Sequence, residues 1–363
     1  MKAIFSGMQL AHAPKHFLRL GNLVDYPDSP KRARKLLAGA RGARCRVFGA
    51  RSFDPALLGR VHNKAYLNFL STGYDELQAL PGAGAELIPS LRPTLAYKTI
   101  PKHIMARAGF HQMDAACPIT ANTWKSALAS AMTAMTAADH VLAGDRVAYA
   151  LCRPPGHHAA VDRASGFCYL NNAAIAAQQL RAKHKTVAIL DIDVHHGNGT
   201  QLLHYARADV LTVSIHADPA EFYPFYWGHA SETGRDAGEG FNLNIPLPVK
   251  SGDSAWLAAI DQAMARIAAF APTALVLSLG LDAHERDPLQ GGAVTTGCFA
   301  LMAEKISKAN LPTVIVQEGG YLTDHLADNL AMFLVGFEGS SADEADGNDD
   351  AEGLDAEDAG PLA

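Results

Sequence analysis

The 363-residue chain is 48% hydrophobic but only 7% aromatic, enough apolar mass to bury a large α/β core, and it has no uninterrupted apolar run of ~18 residues that would cross a membrane. Its formal net charge of −6 misleads, because ten of the 37 Asp and Glu residues lie in 338–363, which has no Lys or Arg, leaving 31 basic against 27 acidic residues elsewhere. That near-balance, without a basic stripe interleaved with aromatics, excludes the usual signature of a nucleic-acid partner, and the tail SADEADGNDDAEGLDAEDAG has the composition of a disordered, solubilising segment.

The N-terminal MKAIFSGMQLAHAPKH lacks the apolar core of a secretory signal. The five cysteines (Cys45, Cys117, Cys152, Cys168 and Cys298) form no CxxC pair. A reduced, cytoplasmic chain is the expectation. The first third is irregular and holds a Pro/Gly-rich stretch over 78–103, long enough to be a functional loop. From about residue 120 the patterns alternate. Helices are predicted over 123–143, 171–184, 254–270, 299–309 and 323–337. Strands are predicted over 147–151, 187–193, 210–216, 274–281 and 313–321, each a short, largely apolar run. Such alternation specifies a three-layer α/β/α fold around a central, mainly parallel sheet buried on both faces. No linker divides the body, so one catalytic domain over 1–337 is expected, with 338–363 as the tail.

Ionisable residues recur just beyond four of these strands. VAYAL is followed by His157 and His158, and VAIL by Asp191, Asp193, His195 and His196. ALVLSLGL is followed by Asp282, His284, Glu285 and Asp287, and TVIVQ by Glu318 and Tyr321. In an open parallel sheet the crevice beyond the strand carboxyl ends is where ligands bind. In DIDVH, an extended chain would point Asp191, Asp193 and His195 the same way. Burying unpaired carboxylates is expensive, and a divalent metal held by one His and two carboxylates would compensate the charge while keeping open positions for chemistry. The residues alone thus point to a hydrolytic metal centre.

RPPGHHA (153–159), GFCYLNNAAIAA (166–177), LDIDVHHGNGTQ (190–201), GLDAHERDPL (280–289) and EGGY (318–321) together resemble the histone deacetylase superfamily, in particular its bacterial acetylpolyamine amidohydrolase and class II-like branches. IFSG, RVHNKAYLNFL (60–70), HADPAEFYP (216–224) and ETGRDAGEG (232–240) extend the match over nearly the whole chain except the tail. The resemblance implies an arginase/deacetylase-like fold and a zinc-dependent amidohydrolase that removes an acetyl or short acyl group from an amine. It implies Zn²⁺ on Asp193, His195 and Asp282, and a structural K⁺ near Asp191, Asp193, His195, Ser214 and Ile215. His157 and His158 would be the tandem histidines, with His158 taking the proton of the attacking water and His157 held by Asp191. Tyr321 would donate its phenolic proton to the oxyanion. Phe167 and Tyr223 would wall a narrow tunnel in which Gly166 leaves room for a linear chain. His196 would be structural.

Two features depart from the family pattern. Asn198 stands where the nuclear class I enzymes have Asp, which leaves His158 without a charged partner and less basic. Acetylpolyamine enzymes place acidic residues in the active-site loop, whereas the matching positions here are Met105 and Ala116, and Lys102, His103 and Arg107 would repel a polycation. Asp114 is close by but is not assigned to the tunnel. On this reading a small N-acylated amine or an acetyl-lysine peptide is the substrate, and acetylpolyamines are poor ones. The branch also implies a homodimer. Arginase-like ureohydrolysis needs two metal ions with more bridging carboxylates. A non-catalytic acyl-binding protein would be expected to have lost a ligand or the tyrosine, and neither is lost.

Overall fold

The computed structural model describes residues 1–93, 99 and 101–339; the acidic tail beyond 339 and part of the 78–103 stretch lie outside the described residues. The chain starts with β1 (Lys2–Phe5), a hairpin of β2 (His16–Arg19) and β3 (Asn22–Asp25), α1 (Pro30–Gly42), β4 (Arg46–Gly49), α2 (Lys64–Gln78) and α3 (Ile104–His111). Helices and strands then alternate: α4 (Thr123–Leu142), β5 (Val147–Ala150), α5 (Asn172–Leu180), β6 (Val187–Asp191), α6 (Asn198–His204), β7 (Val210–Ala217), β8 (Asn242–Leu247), α7 (Asp253–Phe270), β9 (Ala274–Leu279), α8 (Thr296–Ser307), β10 (Thr313–Gln317) and α9 (Leu326–Gly339).

Eight strands make one sheet in the order β4-β1-β5-β10-β9-β6-β7-β8, and every neighbouring pair is parallel. Both faces are buried, and the two-residue strand period divides them. Ala188, Leu190, Leu275, Leu277 and Ile315 face a core shared with α1, α7, α8 and α9. Val187, Ile189, Val276, Val314 and Val316 face α4 and α5, whose Ala137, Ala138, Ala173, Ala176 and Ala177 let the helices lie close. The alanine-rich composition is used here.

The sequence missed β1, β2, β3, β4 and β8. β4 and β8 are the sheet edges; β4 is four residues long and largely exposed, and β8 is interrupted by Asn242, Asn244 and Pro246, so neither shows an apolar run, the proline being tolerated because an edge strand needs fewer ladder bonds. The predicted strands also run too far. β5, β6, β9 and β10 end one, two, two and four residues earlier than their patterns, because the chain beyond them curls into one rim. These four strands are adjacent in the sheet centre.

A buried ion cluster fastens the N-terminal segment to that rim. Asp28 Oδ1 accepts from Arg32 Nη1 at 3.1 Å and from Arg153 Nε at 3.0 Å, all three side chains being fully buried. Arg153 donates onward to the carbonyls of Gln9 and His12, each at 2.6 Å, and Arg32 to those of Glu318 and Gly320. Burial alone would raise the Asp28 pKa, but the two guanidinia outweigh it and hold the carboxyl below its ordinary range. Asp28→Ala strands two buried cations, so urea denaturation should show a loss of about 3–5 kcal/mol, with Asp28→Asn recovering part of it; an unchanged midpoint for Asp28→Ala would remove the cluster from the fold's support.

Candidate active site

Asp191 ends β6, and its Oδ1 accepts from Asp193 N at 3.0 Å; Asp193 Oδ1 in turn accepts from His195 N at 2.9 Å. These two side-chain turns bend the backbone that an alternating strand would have kept straight. The expectation that Asp191, Asp193 and His195 share one face is therefore not met. Asp193 and His195 converge with Asp282, from the loop after β9, whereas Asp191 turns to His157.

The Asp193, His195 and Asp282 donor atoms all lie within 4.8 Å of one another. Asp193 Oδ2 accepts from Gly319 N at 2.7 Å, and Asp282 Oδ1 accepts from Val194 N at 3.1 Å. The other oxygens, Asp193 Oδ1 and Asp282 Oδ2, each stand 3.1 Å from His195 Nδ1. Both carboxylates are fully buried. Burial and the neighbouring Asp193 push the Asp282 carboxyl up, while His157 and His195 outweigh burial and hold Asp193 down. Burial opposes a proton on His195, but its bonds to Asp193 and Asp282 hold its pKa up to about 9. The same two charges that keep that proton favour a metal ion, so proton and metal compete for Nδ1. Ligand atoms about 2.0–2.2 Å from one ion stand roughly 3–3.5 Å apart, which fits these separations. One imidazole and two carboxylates suit a borderline divalent cation such as zinc.

The tandem histidines come from the turn after β5 and are driven apart electrostatically. His157 Nδ1 lies 2.9 Å from Asp191 Oδ2. Burial disfavours its charge, yet Asp191 and Asp193 prevail and raise it to about 10. His158 Nδ1 lies 2.7 Å from Asn198 Oδ1. Burial, then His157 and His195, push it well below the ordinary histidine range. Because Asn198 Oδ1 only accepts, Nδ1 of the neutral ring carries the hydrogen and Nε2 keeps its lone pair. Glu318 was named at a strand end but given no role. Its Oε2 accepts from Gly156 N at 2.6 Å and His157 N at 3.1 Å, fixing the backbone of the pair.

His158, His195 and Tyr321 open onto one cavity of about 400 Å³. Burial first, and Asp282 next, raise the Tyr321 phenol well above its ordinary pKa, so it keeps its proton. Its loop needs Gly320: φ is +106° and a Cβ there would meet Leu281 Cβ at 2.6 Å. Phe167 and Tyr223 line the cavity, as does Gly166. Gly166 has φ +50°, and a Cβ would stand 2.3 Å from His158 Cδ2, so the missing side chain also protects the imidazole. Ser214 is the register partner of Asp191, and both line a cavity of about 10 Å³ beside His196; the Ile215 side chain is in the core. His196 packs against His216 at 4.6 Å and reaches Gln201 Oε1 at 3.1 Å, apart from the tandem pair.

The active-site loop reads differently in three dimensions. Arg107 Nη1 donates to both carboxylate oxygens of Glu76 at 2.7 and 2.8 Å, His103 accepts from Met105 N at the start of α3, and Met105 packs in a side cluster. Neither these residues nor Lys102 line the cavity; Ala116 and Asp114 do. The predicted repulsion of a polycation therefore has no structural basis among the described residues. Sequence reasoning also missed Phe17 and Tyr26, which pack edge-on against Phe167 at 5.2 and 5.0 Å. It missed Phe222 too, stacked on His195 at 5.1 Å. Phe222 adjoins Tyr223 within HADPAEFYP and could have been read there; the other two lie on the irregular N-terminal segment, which carries no motif.

A family profile described as "Histone deacetylase domain" matches residues 26–336. An acetylpolyamine amidohydrolase of Burkholderia pseudomallei (strain 1710b) is 44% identical over 338 residues, covering 93% of this chain and 98% of that protein. An acetylpolyamine amidohydrolase of Mycoplana ramosa is 39% identical over 349 residues, covering 93% of this chain and 100% of its own. The crystal structure of acetylpolyamine aminohydrolase from Burkholderia pseudomallei superposes with a TM-score of 0.90 at 43% identity, over 94% of this chain and 99% of that one.

If the three donors hold one cation, Asp193→Ala and Asp282→Ala should each drop bound zinc after dialysis from stoichiometric to trace, read by plasma mass spectrometry. Stoichiometric zinc in both variants would remove the pair from the ligand set.

Proposed function

The chain belongs to the histone deacetylase family, and from that membership and the geometry of its cavity we propose that it is a zinc-dependent amidohydrolase that removes the acetyl group from a small acetylated amine. The observation that carries this reading is the buried Asp193–His195–Asp282 cluster, whose His195 lines the same cavity as a neutral His158 and a protonated Tyr321. The relatives are named as amidohydrolases and deacetylases, which supports hydrolysis of an amide as the activity of this chain.

Zinc on Asp193, His195 and Asp282 would supply Lewis acidity at the amide carbonyl and ready a water for attack. His158 Nε2, with its lone pair free, accepts the proton that water loses as its oxygen bonds to the carbonyl carbon. The Tyr321 hydroxyl donates to the oxyanion that forms, a role its raised pKa suits. As the C–N bond breaks, the leaving nitrogen takes a proton from the tandem pair, and carboxylate and free amine result. His157, held as an imidazolium by Asp191, offsets negative charge beside Asp193. A potassium ion near Asp191 and Ser214 is the resemblance's further implication, and the row of Asp191, Ser214 and the buried, unpartnered Ser278 Oγ offers the oxygen donors such an ion takes.

The lining of Phe17, Phe167, Phe222, Tyr223 and Leu289 suits an acetyl group on a slender aliphatic chain. The relatives named for acetylpolyamines, and a cavity free of the loop's cations, favour an acetylated di- or polyamine over acetyl-lysine in a peptide. On a panel of acetylputrescine, acetylspermidine and an acetyl-lysine peptide, the acetylamines should show the higher kcat/KM, a chelator should abolish turnover and added zinc restore it. Undiminished turnover in chelator would end the metal reading. Tyr321→Phe should retain zinc while kcat falls by about 10²–10³, the cost of one oxyanion donor; a full-rate variant would take the tyrosine out of the reaction.

A further inference from the structure

Asp114 gathers more of the cavity than its place in an irregular loop announces. Its Oδ2 accepts from Tyr223 Oη at 2.6 Å, Ser165 Oγ at 3.0 Å and Gly166 N at 3.0 Å, while Oδ1 accepts from Ala116 N at 2.9 Å. Ser165 Oγ and Tyr223 Oη are themselves 2.7 Å apart. One side chain therefore joins the segment after α3, the Gly166–Phe167 turn and the Tyr223 loop. Both joined walls touch the tandem pair: Gly166 lies so close to His158 that it cannot carry a Cβ, and the Tyr223 ring meets His158 edge-on at 5.1 Å. Among the described residues, two carboxylates line the cavity, Asp114 and Glu221. Glu221 is exposed and screened by water, whereas Asp114 is half-buried. Among the described residues, the one guanidinium of the lining, Arg19, is tied to the carbonyls of Pro288 and Leu289 at 3.1 and 3.3 Å.

Resting on the deacetylase reading above, we infer that Asp114 is the specificity-determining residue of this cavity: it fixes the two walls beside His158 and supplies the fixed negative charge that favours a substrate with a protonated amine beyond its aliphatic spacer. Four donors converge on it, so the carboxylate is held in place, and in a partly desolvated cavity a fixed charge acts on a passing ammonium more strongly than an exposed one. Its position is set by hydrogen bonds to a serine, a tyrosine and two backbone amides, none of them a cation that would cancel its charge.

The test compares N-acetylputrescine with N-pentylacetamide, which replaces the ammonium by a methyl group, and uses the ratio of their kcat/KM values. Asp114→Asn should lower kcat on both amides together, through loosened walls, and lower the ratio about tenfold through KM for the cation alone, the effect of one lost charge pair at intermediate dielectric. Asp114→Glu, which restores the charge, should keep the wild-type ratio even where kcat falls. Raising ionic strength should shrink the ratio in the wild type and leave it flat in Asp114→Asn. A ratio unmoved by Asp114→Asn, or lowered alike by Asn and Glu, overturns the inference and leaves the deacetylase reading standing. If Asp114→Asn does not fold, a salt-insensitive ratio in the wild type overturns it equally. A wild type that cleaves neither amide sinks the deacetylase reading, and this inference with it.

Discussion

Two buried carboxylates held a few ångströms apart set the terms for everything around them. Asp193 and Asp282 are fully buried, and like charges so placed cannot both stay ionised without a compensating cation. His195 Nδ1, 3.1 Å from an oxygen of each, marks where that cation would be bound. The backbone amides of Val194 and Gly319 take the remaining oxygens, so the carboxylates cannot swing away to relieve their repulsion. Gly319 is required for this approach, since a Cβ would stand 2.2 Å from Asp282 Oδ2.

That charge also sorts the tandem histidines. His157 faces Asp191 and, farther off, Asp193, and becomes the cation of the pair; His158 faces a neutral amide and two other imidazoles, and is driven neutral. Two adjacent residues of the same type acquire opposite states because their ring nitrogens meet different partners, which is how an active site separates proton donor from proton acceptor. Asn198 is decisive here. An aspartate at that position would have drawn the His158 pKa upward, whereas Asn198 orients the ring without charging it.

The walls depend on parts of the chain that have no catalytic pattern. The Asp28–Arg32–Arg153 cluster brings the N-terminal segment against the carbonyls of Glu318 and Gly320, next to the loop that carries Tyr321, and the Arg32 guanidinium lies 5.4 Å from the Tyr321 ring centroid. The same segment supplies Phe17 and Tyr26 to the Phe167 wall. Asp114 ties the Gly166–Phe167 turn to Tyr223. The rim is therefore assembled from the N-terminal third and the strand ends together, with the sheet as the common support.

The sequence by itself determined the layered α/β architecture, because short apolar runs alternating with helical patterns can be buried only as a parallel sheet covered on both faces. It also brought His157, His158, Asp193, His195, Asp282 and Tyr321 to one rim, because their motifs follow strands whose carboxyl ends must share an edge. Only the tertiary structure decided that Asp191 leaves the metal-type cluster for His157, since that depends on side-chain turns that bend the chain off the strand period. Only it decided that Arg107 is neutralised by Glu76 while Asp114 reaches the cavity, since the direction of a loop side chain follows from contacts with residues tens of positions away. Periodicity is a local property and survives in the sequence; the facing of a charge in a loop is not, and folding alone fixes it.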